Sequence, residues 1–378
     1  MNAVTSILKD PLSMEVDAPD EIVQAALSGA VFIFNISGGK DGLCAADAAN
    51  RFLDRLGHPR SLRHAMHADL GRVEWRETPA TVEEQAAFLG LPLMIVRRER
   101  GDLVSVWEQR YSDGLPAYRS LEQVRLRGPW SGPGQKFCQP AMKRDQFVKT
   151  LRHAFPTQTV VCVIGVRRDE SRDRAKALTL SPESRLSTPG RTTGLNWNAI
   201  AHWSTADVFA YAEARGLPMH EAYSTWGSSR LSCALCVFAS KGDVQASLSN
   251  PRNHDLLRLL VGIENRTGFA FQRNAWLSDA RPDLLSEEEL AGAAAAKAYS
   301  QERGRLEAIV TEDFLQGSAS DPWPRRIPDA EEAIAIAESR RLVASWTGIE
   351  LGYRTASAVI DRIAGLMEAG ATLRIEKI

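Results

Sequence analysis

Net charge is nearly absent from this chain. Its 378 residues carry 46 Lys and Arg against 47 Asp and Glu, a formal charge of -1. A surface-wide attraction to nucleic acid is thereby excluded, and any contact with an anion has to be local. Long apolar runs are missing as well. Nothing approaches the roughly 18 uninterrupted apolar residues of a membrane span. The opening MNAVTSILKDPLSMEVDAPD lacks the basic start and apolar run of a secretory signal. Cysteine is scarce and odd in number, with only Cys44, Cys138, Cys162, Cys233 and Cys236. The expected compartment is the cytoplasm, where thiols stay reduced and serve as metal ligands or nucleophiles more often than as disulfides. There is no fixed-period repeat and no low-complexity tract. What is present, 44% apolar and 25% charged residues, suffices for a buried core and excludes disorder for the bulk of the chain.

The order of patterns predicts an α/β fold. A loosely ordered start of about twenty residues and a short helix over Pro19 to Leu27 precede VFIFNI (Val31 to Ile36), an apolar run that reads as a strand buried on both faces. SGGKDG follows, then a helix closed by Gly57. SLRHAMHADLG, LPLMIVRRE and TVVCVIGVRR are further strand candidates, and TVEEQAAFLG is a helix with Thr81 and Glu84 at capping spacing. Strands alternating with helices imply a parallel sheet covered on both faces. Gly101 to Lys136 shows no clear period and reads as a loop-rich excursion. The last third is strand-poor, with capping boxes at Ser286/Glu289 and Asp329/Glu332 and a final helix over about Ala356 to Ala369. Three parts are expected: an extension over 1–28, a sheet domain over 29–243 and a helical domain over 244–378.

The loop Ser37 to Gly42 joins a buried strand to a helix, where open α/β sheets bind ligands. Glycines there expose successive N–H groups, and the helix N-terminus favours an anion such as phosphate or pyrophosphate. Lys40 adds positive charge, Ser37 a hydroxyl, and Asp41 a carboxylate able to cap the helix or help hold Mg2+. Neither the GxxxxGK[ST] nor the GxGxxG spacing is present. A second basic loop, GVRRDESRDR, groups Arg167, Arg168, Arg172 and Arg174 after a strand. Arginine forks suit a second anionic group, and a solvated loop of internal ion pairs is the plainer alternative. In NAIAHWSTADVFAYAEARGLPMHEAY, Ser204 or Thr205 starts a helix whose buried stripe is Val208, Phe209 and Ala212.

Cys233 and Cys236 form a C-x-x-C, the half-site of zinc and iron–sulfur centres. A redox dithiol or two buried structural thiols are the other readings, although redox pairs ordinarily open a thioredoxin-like helix. Cys44 and Cys162 read as packing thiols.

These segments carry a resemblance. SGGKDG resembles the PP-motif, SGGxDS, of the ATP pyrophosphatases, which cleave ATP between the α and β phosphates. Gly42 stands where that motif usually has Ser, one hydroxyl fewer. Gly165, Arg167, Ser171 and Arg174 match G-x-R-x-x-x-S-x-x-R, the arginine motif of the phosphoadenosine-phosphosulfate (PAPS) reductase-like family. The tryptophan segment is similar to the same family at Trp203, Asp207, Val208, Tyr211, Leu217, Pro218, His220 and Tyr223. FCQPAMK looks like R-(F/Y)-C-T-x-x-(L/M)-K, found in a three-cysteine branch that includes the sulfur-incorporating subunit of DNA phosphorothioation and phage- and plasmid-encoded relatives. Lys143 matches its lysine, and Lys136 replaces its arginine. Phe137 stands where cluster-bearing adenylylsulfate reductases have an extra cysteine. The likeness spans about Val31 to Ser240.

The resemblance implies a Rossmann-like (HUP) sheet with Ser37, Gly38, Gly39, Lys40, Asp41 and Gly42 around a pyrophosphate, Lys40 and Asp41 being catalytic. It implies a nucleotide contact at Asp69 and a further phosphate at Gly165, Arg167, Arg168, Ser171 and Arg174. Cys138, Cys233 and Cys236 are then ligands of a 4Fe-4S cluster, with zinc as the alternative. Among the histidines only His220 and His254 come into consideration as a fourth ligand. Sulfonucleotide reductases attack sulfur with a tail cysteine, and no cysteine follows Cys236. The expected activity is therefore Mg2+-dependent adenylylation of an acceptor by ATP, coupled to sulfur transfer. The alternatives are a sulfonucleotide reductase that borrows a partner's thiol and a non-catalytic nucleotide-binding or zinc-structured protein. Expected partners are ATP or an adenosine phosphosulfate, an acceptor that includes DNA or tRNA through local contacts, and a sulfur-donor protein, with no membrane.

Overall fold

The structure, a computed structural model, describes residues 11–132, 134–273, 275–315 and 323–375. The chain forms two compact units, residues 1–103 with 133–253 and residues 104–132 with 254–378. The sequence reading draws one boundary near residue 243. The units instead exchange residues 104–132 and part after residue 253.

The first unit opens with α1 (Asp20–Leu27), β1 (Val31–Asn35), α2 (Lys40–Arg55), β2 (Arg63–Asp69), α3 (Thr78–Leu89) and β3 (Leu93–Arg97). The chain then enters α4 (Leu103–Arg119) of the second unit and returns through α5 (Asp145–Ala154). β4 (Thr159–Val163), β5 (Leu180–Pro182), β6 (Thr193–Trp197), α6 (Thr205–Arg215), α7 (Glu221–Ser224) and α8 (Lys241–Ser249) complete it. The sheet order is β3-β2-β1-β4-β6-β5, and all pairs are parallel except β5 with β6. Alternation along β1 explains its apolar run. Phe32 and Phe34 pack with residues of α1, α2, α3 and α6, while Val31 and Ile33 face the other way and are also fully buried. Strand order reverses between β1 and β4, so the loops after these two strands flank the switch point where such sheets bind ligands.

Several local expectations are corrected. Residues 14–18 are tied to this unit: Met14, Val16 and Ala18 pack on the core, Asp17 N donates to Ala199 O (2.9 Å), and Trp197 Nε1 donates to Asp17 O (2.7 Å). Residues 1–10 lie outside the described residues. α3 begins at Thr78 with Pro79 in its first turn, so Thr81 sits inside the helix and donates to Glu77 O rather than capping it. β4 ends at Val163, short of the arginine loop. Ser204 does cap α6, in a box with Asp207. Phe209 is 42% exposed, outside the stripe of Val208, Tyr211 and Ala212.

The second unit consists of α4, α9 (His254–Thr267), α10 (Glu287–Ile309), α11 (Glu312–Leu315), α12 (Ala330–Thr347) and α13 (Ala356–Ile375). The supposed excursion over Gly101 to Lys136 thus contains a 17-residue helix. Its stripe of Val104, Trp107, Tyr111 and Tyr118 has helical spacing, but Gly114 and Pro116 near its end obscure the signal. Buried Arg340 donates to the terminal carbonyls of α4, Tyr118 O (2.6 Å) and Arg119 O (2.9 Å), satisfying groups that a helix leaves open. Tyr299 and Trp346 stack at 4.7 Å. Both capping boxes read from the sequence, Ser286/Glu289 and Asp329/Glu332, are formed. Among the described residues no helix is long and apolar enough to cross a membrane.

Candidate active site around the glycine loop and the cysteine turn

The glycine loop leaves β1 at the switch point and ends on Gly39, which precedes the first turn of α2. Gly38 has φ +80°, the left-handed region open to glycine, and a Cβ there would lie 2.9 Å from Leu231 Cδ2. The loop is held from below. Buried Gln85 donates through Nε2 to Gly38 O (3.1 Å) and Pro218 O (3.1 Å). Fully buried His220 accepts from Ala222 N at Nδ1 (3.0 Å) and meets Thr78 Oγ1 at Nε2 (3.2 Å). Burial pushes its pKa down to about 4, so the ring is neutral. With both nitrogens bonded to protein, His220 is a support of the loop and not a spare ligand. His254 lies in the second unit.

Lys40 is only 3% exposed. Its amine contacts Asp41 Oδ2 (3.3 Å) and Ser229 O (3.4 Å) and lies over the rings of Tyr223 (5.2 Å) and Phe209 (5.5 Å). Its backbone N–H donates to the Tyr223 hydroxyl (3.2 Å), which also accepts from Leu231 N (3.0 Å). Burial pushes the Tyr223 hydroxyl up to about 12, keeping it protonated. No acceptor among the described residues engages the amides of Gly39, Asp41 or Gly42. Ser37 is exposed beside them.

The second basic loop behaves differently from the phosphate reading. Arg167 is 2% exposed and fully engaged: Nε to Asp41 Oδ1 (2.7 Å), with further bonds to Asp169, Trp203 O (3.3 Å) and Thr205 Oγ1 (3.2 Å). It braces Asp41, whose two carboxylate oxygens therefore face Arg167 and Lys40. Arg168 reaches Ala177 O (3.0 Å) and Thr179 Oγ1 (2.9 Å). Ser171 Oγ accepts from Arg174 N (3.2 Å), and exposed Arg174 pairs with Glu170. Gly165 touches the glycine loop itself, since a Cβ there would lie 2.5 Å from Asp41 O and Gly42 N. Asp69, on the same sheet edge, accepts from Gly71 N (2.7 Å) and pairs with Arg97.

The three cysteines named from the motifs influence one another electrostatically. Cys233 and Cys236 are pushed up by burial, and Cys138 raises both further through its charge. Lys143 acts on Cys233 in the opposite direction. Cys138 lies two residues before a single π-helical turn, Pro140–Arg144, that runs into α5. Cys236 Sγ accepts the amide of Phe238 (3.4 Å), and Lys136 lies over the Phe238 ring (5.8 Å). Among the described residues no group of three His, Cys, Asp or Glu has the geometry of a metal-ion site. Cys44 and Cys162 are buried in the core, and burial raises both thiols, Cys162 to about 12. None of the five cysteines is in a disulfide.

Three supports were not singled out from the sequence. Asp243 accepts from Ser229 N (2.8 Å) and from the hydroxyls of Ser228 (3.2 Å), Ser229 (2.9 Å) and Ser240 (2.7 Å), fixing the chain that leads to the C-x-x-C. Val73 O accepts from Ala234 N (2.8 Å). Buried His67 contacts Ile36 O (3.2 Å) and Glu74 Oε1 (3.4 Å), with Glu74 close enough to raise the Cys233 thiol. The serines around Asp243 were a readable signal. The His67–Glu74 pair left none, because its partners meet only in the fold.

The phosphoadenosine phosphosulfate reductase domain family matches residues 32–245, more than half of the chain. The chain belongs to that family. Among solved structures it is similar to phosphoadenylyl-sulfate (PAPS) reductase from Candida auris in a phosphate complex, at 15% identity and a TM-score of 0.36, over 57% of this chain and 88% of that one. No curated protein matches the chain.

Proposed function

We propose that the chain is an adenine-nucleotide α-hydrolase that adenylylates an acceptor with ATP and couples this step to sulfur transfer. One observation carries the reading. The segment Ser229–Cys236 touches the glycine loop at one end, through Leu231 against Gly38, and carries Cys233 and Cys236, two of the three motif thiols, at the other. One stretch of chain joining the candidate phosphate loop to the candidate thiols supports a coupled reaction.

In this reading the amides of Gly39, Lys40, Asp41 and Gly42 and the Ser37 hydroxyl hold the pyrophosphate end of ATP. Lys40 swings its amine from the aromatic rings to the phosphate oxygens that gain charge as pyrophosphate leaves. Mg2+ arrives on the ATP phosphates. Asp41, already facing two cations, positions Lys40 and Arg167 instead of binding metal. Arg172 and Arg174 are the exposed arginines of the second loop and the ones able to reach a further phosphate. The acceptor oxygen attacks the α-phosphorus, the bond to the bridging oxygen breaks and pyrophosphate departs. A sulfur nucleophile then displaces AMP.

The chemistry of the donor set fits a thiophilic group, since all three candidate ligands are thiols, Cys138 acts on the other two electrostatically and Cys236 already accepts an amide. Cys138, Cys233 and Cys236 would hold a 4Fe-4S cluster, with a zinc ion as the alternative. Such a group, when bound, supplies an open site for sulfide.

The test is exchange of labelled pyrophosphate into ATP by anaerobically prepared protein, with iron and zinc measured on the same sample. Exchange together with about three cysteine-bound irons or more supports the reading. Sulfite release from an adenosine phosphosulfate with an added dithiol protein, without exchange, would assign the chain to sulfonucleotide reduction. Neither activity, with ATP bound or zinc present, would make it a non-catalytic binder.

A further inference from the structure

Tyr223 occupies a position that the function above leaves unused. Its single oxygen accepts two backbone N–H groups from distant parts of the chain, Lys40 at the start of α2 (3.2 Å) and Leu231 ahead of the cysteine turn (3.0 Å). Lys40 repeats the connection with its amine on Ser229 O (3.4 Å). Behind these ties stands Asp243, which holds Ser228 and Ser229 independently of the loop. The amides of Gly39, Asp41 and Gly42 have no acceptor among the described residues, so of these first-turn donors the Lys40 amide is the one already taken.

We infer that the Tyr223 hydroxyl is a latch that a phosphate group must displace to occupy the glycine loop, and that its displacement frees the segment carrying Cys233 and Cys236. This rests on the nucleotide-binding reading of the loop. A phosphate oxygen is charged and outcompetes a neutral phenol for the Lys40 amide. The same anion draws the Lys40 amine away from Ser229 O. The Leu231 amide loses its acceptor in the same event, because the two N–H groups share one oxygen. Both polar ties from the loop to residues 229–231 therefore break together, while Asp243 keeps the root of the segment in place and the Ala234 N–H stays on Val73 O (2.8 Å). The consequence is an order of events: the thiol centre opens after the nucleotide is seated.

Hydrogen–deuterium exchange with inorganic pyrophosphate as probe tests this on the full chain at constant metal content. In the wild-type protein, saturating pyrophosphate is expected to slow exchange over residues 37–43 and to speed it several-fold over residues 229–236. Tyr223→Phe removes the oxygen and keeps the ring. It is expected to show fast exchange over 229–236 without any ligand and to bind pyrophosphate about three- to tenfold more tightly, the competing hydrogen bond being gone. Protection of 37–43 with unchanged exchange over 229–236 in the wild type overturns the latch and leaves nucleotide binding standing. Absence of protection over 37–43 in both proteins overturns the binding reading. The latch is then decided by ligand-free Tyr223→Phe, and unchanged exchange over 229–236 refutes it.

Discussion

The departure of this chain from SGGxDS, Gly42 in place of Ser, has a structural cause that can be tested by restoring the serine. A Cβ at Gly42 would lie 2.9 Å from the carbonyl oxygen of Asn35, at the end of β1. Ordinary contacts begin near 3.4 Å, so the first turn of α2 has to retreat by roughly half an ångström in a close-packed region. Overpacking of this kind costs about 1–3 kcal/mol. Replacing glycine inside a helix returns about 0.5 kcal/mol, leaving a net loss of about 0.5–2.5 kcal/mol for Gly42→Ser. For a unit of this size that lowers the melting temperature by about 1–10 °C, measurable by calorimetry. The retreat also moves the amides of Asp41 and Gly42, so pyrophosphate affinity, measured by titration calorimetry, falls several-fold despite the added hydroxyl. Gly165→Ala sharpens the comparison. Its Cβ would sit 2.5 Å from both Asp41 O and Gly42 N, pressed between immovable backbone atoms, and the expected loss exceeds about 3 kcal/mol. If Gly42→Ser melts at the wild-type temperature and binds pyrophosphate more tightly, the close-approach argument is wrong and Gly42 is simply a lost hydroxyl.

Other expectations concern the supports of the site. Arg167→Ala removes a buried partner of Asp41 and should cost about 3–5 kcal/mol, whereas Arg174→Ala, on the surface, should change stability by less than about 0.5 kcal/mol and reveal any phosphate role as weaker nucleotide binding alone. Asp243→Ala leaves three serine side chains and the Ser229 amide without their acceptor and should lower bound iron or zinc on anaerobic purification, read by elemental analysis. Acidification should act on the two units in opposite directions. His220 is held neutral with its pKa pushed from 6.5 down to about 4, so the unfolded chain binds the extra proton and stability of the first unit declines as pH falls through that window. Glu264, buried on α9 and accepting from Phe271 N (2.7 Å) and Leu277 N (3.1 Å), is pushed by burial from 4.5 up to about 7. Its contribution is full below about 4.5 and is lost as pH rises through 7, weakening the second unit instead. Hydrogen exchange over each unit between pH 4 and 7.5 separates the two, and parallel responses would contradict the assignment.

What the sequence revealed of this protein follows from how local each feature is. β1 and its loop were legible because a strand buried on both faces must be continuously apolar and the turn after it must contain glycine. Capping boxes such as Ser286/Glu289 and Asp329/Glu332 were legible for the same reason, being made by residues three apart. α4 was missed although its stripe has helical spacing, because Gly114 and Pro116 suggest a break that burial of Trp107 and Tyr118 overrides. The arginine loop shows the deeper limit. Composition placed Arg167 and Arg174 on equal terms as phosphate ligands, yet one is 2% exposed and bonded to Asp41 across 126 residues while the other is paired at the surface. Only the tertiary position distinguishes an arginine that binds a ligand from one that orients the residue beside it. Tyr223 makes the same point in reverse. It matched a family pattern without a reason, and the reason is an oxygen shared by two amides 191 residues apart, one in the phosphate loop and one before the cysteine turn. A motif position that looks like core packing can therefore be the connection between two chemistries.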